Sequence, residues 1–355
     1  MRIGMVSTPF IPVPPPAYGG TELIVSELVE GLRGLGHEVI LYTVGKTTDP
    51  DARSLFEQPV WPPDPYHELH HAAWALSDLI AHEPVDLIHS HCGTLLSLSR
   101  FIDTPIVYTI HHDRRDPFPS YYEHQNNVRF VSISARQRAL FPEIAANAEV
   151  VLHGLDPARY PLGQGGNNCV FIGRLSDEKG PHHAIDAARA AGLTIAVAGK
   201  PHQGDEPYFD SELSERLRQP GVDWIGEVDL AHKVPLLQAA RALLFPIQWE
   251  EPFGLVMIES MLCGTPVLAF PRGSVPEVVE DGVTGFLCHS ADEMAARLRE
   301  IGSFDRRRCR ARAVERFGRM RMVHDYVDVY QRAIAASRGR ALFPVSALAS
   351  AAEGF

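Results

Sequence analysis

Two glutamates, Glu251 and Glu259, stand eight positions apart in the stretch WEEPFGLVMIESMLCGTPV. Pro252, Phe253 and Gly254 precede a helical run, which puts Glu251 in the loop ahead of a helix and Glu259 on its early turns. The start of that helix, from Phe253 and Gly254 to Leu255 and Val256, offers unpaired backbone N–H groups, and its dipole favours an anion. A carboxylate can accept hydrogen bonds from two vicinal hydroxyls. Two acids flanking an anion-binding helix end therefore suit a ligand with hydroxyls on both sides of a phosphate: ribose, diphosphate, hexose. A capping acid beside an unrelated surface glutamate is the plainer reading of the same residues.

A second set lies in FIGRLSDEKG. A strand is expected to end at Gly173, which leaves Arg174 and Lys179 on the loop that follows, where parallel α/β sheets line their crevice. Arg174 can hold phosphate oxygens in a fork, and Lys179 adds a point charge. AYGGTE, Ala17–Glu22, also lies between a strand and a helix, where Gly19 and Gly20 let the main chain approach a ligand. It is not G-x-G-x-x-G, so a dinucleotide fingerprint is lacking. VYTIHHD sets His111 after another strand, where His111 or His112 could bond a sugar hydroxyl or move a proton. His89 and His91 in IHSH are metal-ligand types, but no third ligand stands at a matching spacing, and no metal is expected. Taken singly, these pieces also fit surface cations, loop glycines and polar loop histidines.

Such residues need strands and helices that alternate, and the chain provides them. Strands are expected at Ile3–Val6, Val39–Val44, Asp86–His89, Ile106–Thr109 and Phe130–Ile133, with a helix over Thr21–Leu35. A linker-like stretch, Pro157–Asn168, comes before a second series. That series has strands at Cys169–Gly173, Thr194–Ala198, Val222–Trp224, Ala242–Phe245 and Pro266–Ala269, with helices over Pro181–Ala191, Ala231–Ala240 and Leu255–Cys263. The expected fold is α/β: two Rossmann-like, doubly wound parallel-sheet domains facing a cleft. The run RRRCRARAVERFGRMR, Arg306–Arg321, reads as a solvated helix face, with a lipid- or partner-binding patch as the alternative.

At 355 residues the chain is long enough for two cores. A net charge of −11 argues against a nucleic-acid partner but not against a small anionic ligand met by local cations. The five cysteines are scattered and odd in number, which suits a reducing compartment. MRIGMVS runs straight into a strand without signal-peptide character, and no apolar run approaches the roughly 20 residues of a membrane span. The expectation is a cytoplasmic protein; peripheral membrane contact stays open, as does the oligomeric state.

In order and spacing, the segments GGTE, TIH, HGLD, GRLSDEKG, PFGLVMIE within E-x7-E, SVPEVVEDGVTGFL and DYVDVY resemble the retaining glycosyltransferases of family 4, which have the GT-B fold. The resemblance covers nearly the whole chain. It implies an acceptor-side domain over 1–156, a domain over 157–322 that binds the nucleotide-sugar donor, a helix over 323–338 that returns to the first domain, and a flexible tail over 339–355. Residue by residue, it implies that Arg174 and Lys179 bind the donor diphosphate. Glu251 would bind hexose hydroxyls, near the N–H groups of Phe253 and Gly254. The N–H groups of Leu255 and Val256 would face the phosphates, and Glu259 would bind the ribose 2′ and 3′ hydroxyls. Gly19 and Gly20 would touch the diphosphate from the first domain, and His111 would lie by the donor sugar. There are two departures. His153 stands where the family often has Asn, and Glu250 beside Glu251 makes the first acid ambiguous by one position, though spacing favours Glu251.

The implied reaction moves a hexose, with retention, from a nucleotide-diphosphate sugar to a sugar, lipid-linked or small-molecule acceptor, with no cofactor. Acceptor-side loops would be Pro9–Tyr18 and His112–Tyr122, with Phe10, Tyr18, Phe118, Tyr121 and Tyr122. Alternatives on the same fold are a phosphorylase, a nucleotide-sugar epimerase or a non-catalytic binding module. A nicotinamide oxidoreductase ranks last, because the glycine fingerprint and the ribose-binding acid after the second strand are absent.

Overall fold

The short apolar runs pair into two all-parallel sheets in a computed structural model that describes residues 1–17, 19–47 and 49–338. The first sheet is built from β1 (Arg2–Val6), β2 (Glu38–Thr43), β3 (Ala52–Ser54), β4 (Leu87–Ser90), β5 (Ile106–Ile110), β6 (Val128–Ser132) and β7 (Ala148–Val150). The second holds β8 (Cys169–Ile172), β9 (Ile195–Ala198), β10 (Val222–Gly226), β11 (Leu243–Phe245), β12 (Val267–Ala269) and β13 (Gly285–Leu287). Central strands such as β11 and β12 are buried throughout, as expected when helices cover both faces of a sheet. Tyr18 and the 339–355 tail of the sequence reading lie outside the described residues.

Strand order is β3-β2-β1-β4-β5-β6-β7 in the first sheet and β10-β9-β8-β11-β12-β13 in the second. Each sheet therefore reverses direction once, between β1 and β4 and between β8 and β11. Ligands of open parallel sheets bind outside the carboxyl ends of the strands at this reversal. The Arg174–Lys179 loop leaves β8 and the Glu251 loop leaves β11, so both leave strands that flank the reversal.

The helix that returns to the first sheet is Arg319–Arg338, and it begins ahead of the sequence-based start at 323 because Gly318 ends the helix before it. It crosses Gly20–Gly34 so closely that a Cβ on Gly31 would lie 2.4 Å from Val323 Cγ2. Its buried Tyr326 and Tyr330 reach the middle of the first sheet. Thr109 Oγ1 and the Tyr326 hydroxyl are 2.9 Å apart, and His89 Nδ1 and the Tyr330 hydroxyl 2.8 Å.

The arginine-rich run divides between a solvated face, which carries Arg307 and Arg308, and side chains that turn inward. The Arg306 guanidinium donates to the main-chain carbonyls of Gly163 at 3.1 Å, Ala240 at 3.0 Å and Gln238 at 3.1 Å. Arg310 donates to the carbonyls of Tyr160, Leu262 and Pro157, and Arg316 to those of Val278 and Glu277. These side chains bind the 157–168 linker and the ends of second-domain helices to the Arg306–Phe317 helix. Among the described residues, no helix is long and apolar enough to cross a membrane. Removing the Arg306 guanidinium takes the donor it supplies from the Gly163 and Ala240 carbonyls, so Arg306→Ala should lower stability by about 2 kcal/mol. The exposed Arg307→Ala should stay within about 0.5 kcal/mol. Urea unfolding of both variants checks this contrast.

Candidate active site

Lys179 and Glu251 meet across the reversal of the second sheet. Lys179 Nζ donates to Glu251 Oε2 at 2.5 Å, and Trp249 Nε1 donates to the same oxygen at 3.0 Å. The ammonium also sits 4.4 Å from the Trp249 ring centroid, a cation–π contact. Glu251 is only 8% exposed. Glu250, by contrast, points to the first domain and takes a two-pronged ion pair from Arg136 at 2.8 and 2.9 Å. The two adjacent acids thus differ in surroundings: Glu251 faces Lys179, and Glu250 ties the domains together.

The Leu255–Leu262 helix begins beside this pair. Gly254 at its N-cap has φ 80°, a left-handed conformation, and no side chain caps the helix. Its N-terminal dipole is therefore left to whatever approaches from the cleft. Gly20 approaches from the first domain: a Cβ there would lie 3.2 Å from Leu255 Cδ1. Gly19 has φ 156° and adjoins Glu22, whose buried carboxylate accepts from Thr8 Oγ1 at 2.9 Å and is pushed above its usual range by burial.

Glu259 lies one turn into the helix, nearly buried. It accepts from Lys233 Nζ at 2.5 Å and from the Tyr160 hydroxyl at 3.3 Å. Arg174 joins neither lysine–glutamate pair. It pairs with Glu178, and its Nε lies 3.4 Å from Asp205 Oδ2. Phe253 packs edge-on against His153, ring centroids 4.8 Å apart, and the Ser134 hydroxyl donates to the Pro252 carbonyl at 2.7 Å.

His111 leaves β5 on the same side. It stacks on His153 with an interplanar angle of 17°, and its Nε2 is 2.7 Å from His91 Nδ1. His91 in turn lies over His89, ring centroids 4.3 Å apart. Burial lowers the pKa of His89 and of His111 to about 3, and those of His91 and His153 well below the ordinary value, so the rings are neutral. His112 turns away: its Nε2 is 2.6 Å from the Tyr122 hydroxyl, and it stacks on Phe118. Tyr122 is buried beneath it, so this part of the expected acceptor loop is packing. Among the described residues, no group of three or more His, Cys, Asp or Glu is placed to hold a metal.

Sequence profiles of two families match successive parts of the chain: Glycosyltransferase Family 4 over residues 18–159, and Glycosyl transferases group 1 over residues 156–315. The chain belongs to glycosyltransferase family 4. The alpha-maltose-1-phosphate synthase of Mycolicibacterium smegmatis is 28% identical, the match covering 94% of this chain and 99% of that protein. The D-inositol 3-phosphate glycosyltransferase of Frankia alni is also 28% identical, over 77% of this chain and 83% of its own. Among solved structures, AviGT4, a glycosyltransferase involved in avilamycin A biosynthesis, aligns over 94% of this chain and 98% of its own, with TM-score 0.70 and 26% identity. Anabaena HepE, solved with UDP-glucose, aligns over 94% and 100% with TM-score 0.74 and 20% identity. The two parallel sheets of the transferase form the GT-B fold.

Two residues of this candidate site escape a sequence reading. Lys233 is far from Glu259 in the chain, and only the packing of Leu230–Ala239 beside Leu255–Leu262 brings them together. Trp249 stands next to the acids, but tryptophan there gives no signal of its own. The buried histidines carry a measurable consequence. The folded His89 pKa of about 3 is below the ordinary 6.5, so below pH 6.5 the unfolded chain binds a proton that the folded protein refuses. Stability is therefore full above this range and falls with pH, by about 2 kcal/mol at pH 5 from this residue alone. Urea unfolding at pH 7.5, 6 and 5 should show the fall; a flat profile refutes it.

Proposed function

We propose that the enzyme transfers a hexose from a nucleoside diphosphate sugar to an acceptor hydroxyl with retention of anomeric configuration. The observation that carries this reading is the Lys179–Glu251 pair beside the uncapped start of Leu255–Leu262, with Gly20 closing on Leu255 from the other domain. In this reading Lys179, Arg174 and the N–H groups of Leu255 and Val256 meet the diphosphate, joined by the main chain at Gly19 and Gly20. Glu251 accepts from hexose hydroxyls near Phe253 and Gly254, Glu259 accepts from the ribose, and His111 lies by the sugar. The complex of Anabaena HepE with UDP-glucose supports a donor of this class.

The chemistry asks for no protein nucleophile. As the bond from the anomeric carbon to the diphosphate oxygen breaks, charge grows on that oxygen, and Lys179, Arg174 and the helix dipole stabilise it. The acceptor hydroxyl attacks from the face the leaving group vacates, and its proton passes to the departing diphosphate. Cationic side chains and the helix end do the work that a divalent ion does elsewhere, so EDTA should leave the rate unchanged.

Lys179→Ala and Glu251→Ala should keep the fold and slow transfer on the order of 10²–10³-fold. Near-normal turnover by purified Lys179→Ala would sink the phosphate assignment. A thermal-shift panel of nucleoside diphosphates and nucleotide sugars identifies the donor. A true ligand at 100 times its Kd adds about 2.7 kcal/mol of stability. NMR of the first-formed product anomer checks retention, and an inverted product refutes it.

A further inference from the structure

We propose that His91 is a positioning residue that fixes the tautomer of His111, so that His111 presents its Nδ1–H to the cleft as a hydrogen-bond donor. The inference rests on the reading above that His111 lies by the donor sugar, and it deepens that reading by assigning the polarity of the contact.

His91 Nδ1 and His111 Nε2 are 2.7 Å apart, a hydrogen-bond distance. Two bare nitrogens or two N–H groups cannot share this contact, so one ring holds the proton. Suppose His111 holds it at Nε2. His91 must then carry its own proton at Nε2. That atom is buried and has no partner among the described residues, so an N–H would be orphaned inside the protein. Suppose instead that His91 holds the proton at Nδ1. Only a lone pair is then buried at its Nε2, and an unfilled acceptor is tolerated better than an orphaned donor. The second arrangement is the favoured one. It leaves His111 protonated at Nδ1, for which no described residue supplies a partner; the residue is only half-buried, and that nitrogen is not among the buried, unpartnered atoms.

The surroundings hold this choice in place. The His91 main-chain N–H donates to the Val6 carbonyl at 2.8 Å, which pins the residue to the reversal of the first sheet. His89 packs on one side of it and is itself bonded to Thr109 Oγ1 and the Tyr330 hydroxyl. His153 covers the His111 ring, and its main-chain carbonyl accepts from Arg321 at 2.8 Å. A donor at His111 Nδ1 meets a hydroxyl oxygen or ring oxygen of the sugar; a general base would need a lone pair there.

The test uses the full-length enzyme labelled with ¹⁵N-histidine. The wild-type His111 resonance, assigned by its loss in His111→Asn, should show a proton on Nδ1. His91→Leu should mix the two tautomers and lower kcat on the order of 5- to 10-fold, with donor KM changed less. His91→Asn, whose side-chain amide still donates, should recover turnover to within about 3-fold of wild type. His111→Asn, which keeps a donor near the Nδ1 position, should outperform His111→Gln. A wild-type His111 protonated at Nε2 overturns the proposal, whatever the variants do. So does a folded His91→Leu with wild-type kinetics. His111→Ala with normal turnover instead refutes the placement of His111 by the sugar, which separates the two claims.

Discussion

The Lys179–Glu251 contact spans the two loops that leave the second sheet on either side of its reversal in strand order. Everything around it follows from the difficulty of keeping charge away from water. An ion withdrawn from water needs a partner and further hydrogen bonds, or it destabilises its surroundings. Trp249 meets both needs, donating to the carboxylate and offering its ring face to the ammonium. Glu259 repeats the solution with Lys233 and Tyr160. Each acid that flanks the helix end is therefore aimed by a lysine from another element, and neither is a free surface carboxylate.

The two halves of the cleft have different electrical characters. The second domain supplies cations, carboxylates and a helix end. The first supplies a column of neutral imidazoles, kept uncharged by burial and by one another. In the proposed reaction the charged half faces the diphosphate and the neutral half faces the sugar. That division suits a leaving group whose charge must be stabilised beside a substrate whose hydroxyls need only direction.

How much of this was legible in the sequence depended on range. The alternation of strands and helices is local, and strands such as Cys169–Ile172 and Ile106–Ile110 fall where the apolar runs put them. Edge strands β3, β7 and β13 have three residues each, too few for a period to show. Arg174, Lys179, Glu251 and Gly20 were visible because strand ends and helix starts mark crevice loops before any fold is known. Lys233 was not, because its partner is fixed by helix packing. The histidines of IHSH suggested a metal and then lacked a third ligand; His91 instead meets His111, just past the neighbouring strand, and His89 meets Thr109 and Tyr330. The arginine run was legible only in part: Arg307 and Arg308 lie on a solvated face, but composition says nothing of direction, and Arg306 and Arg310 turn inward to carbonyls.

The contacts of Ser134, Ala135 and Arg136 join the first domain to the segment that carries Glu251. Ser134 bonds Pro252, Arg136 holds Glu250, and Glu277 accepts from the Ala135 N–H at 2.8 Å. The posture of the acid loop is therefore tied to the placement of the first domain. If the two domains move, a ligand that bridges them and the Arg136–Glu250 pair favour the same arrangement and reinforce each other. Because Arg136 and Glu250 are both half exposed, salt weakens their attraction. Added salt therefore loosens a contact between the domains at a site apart from the residues proposed to hold the donor.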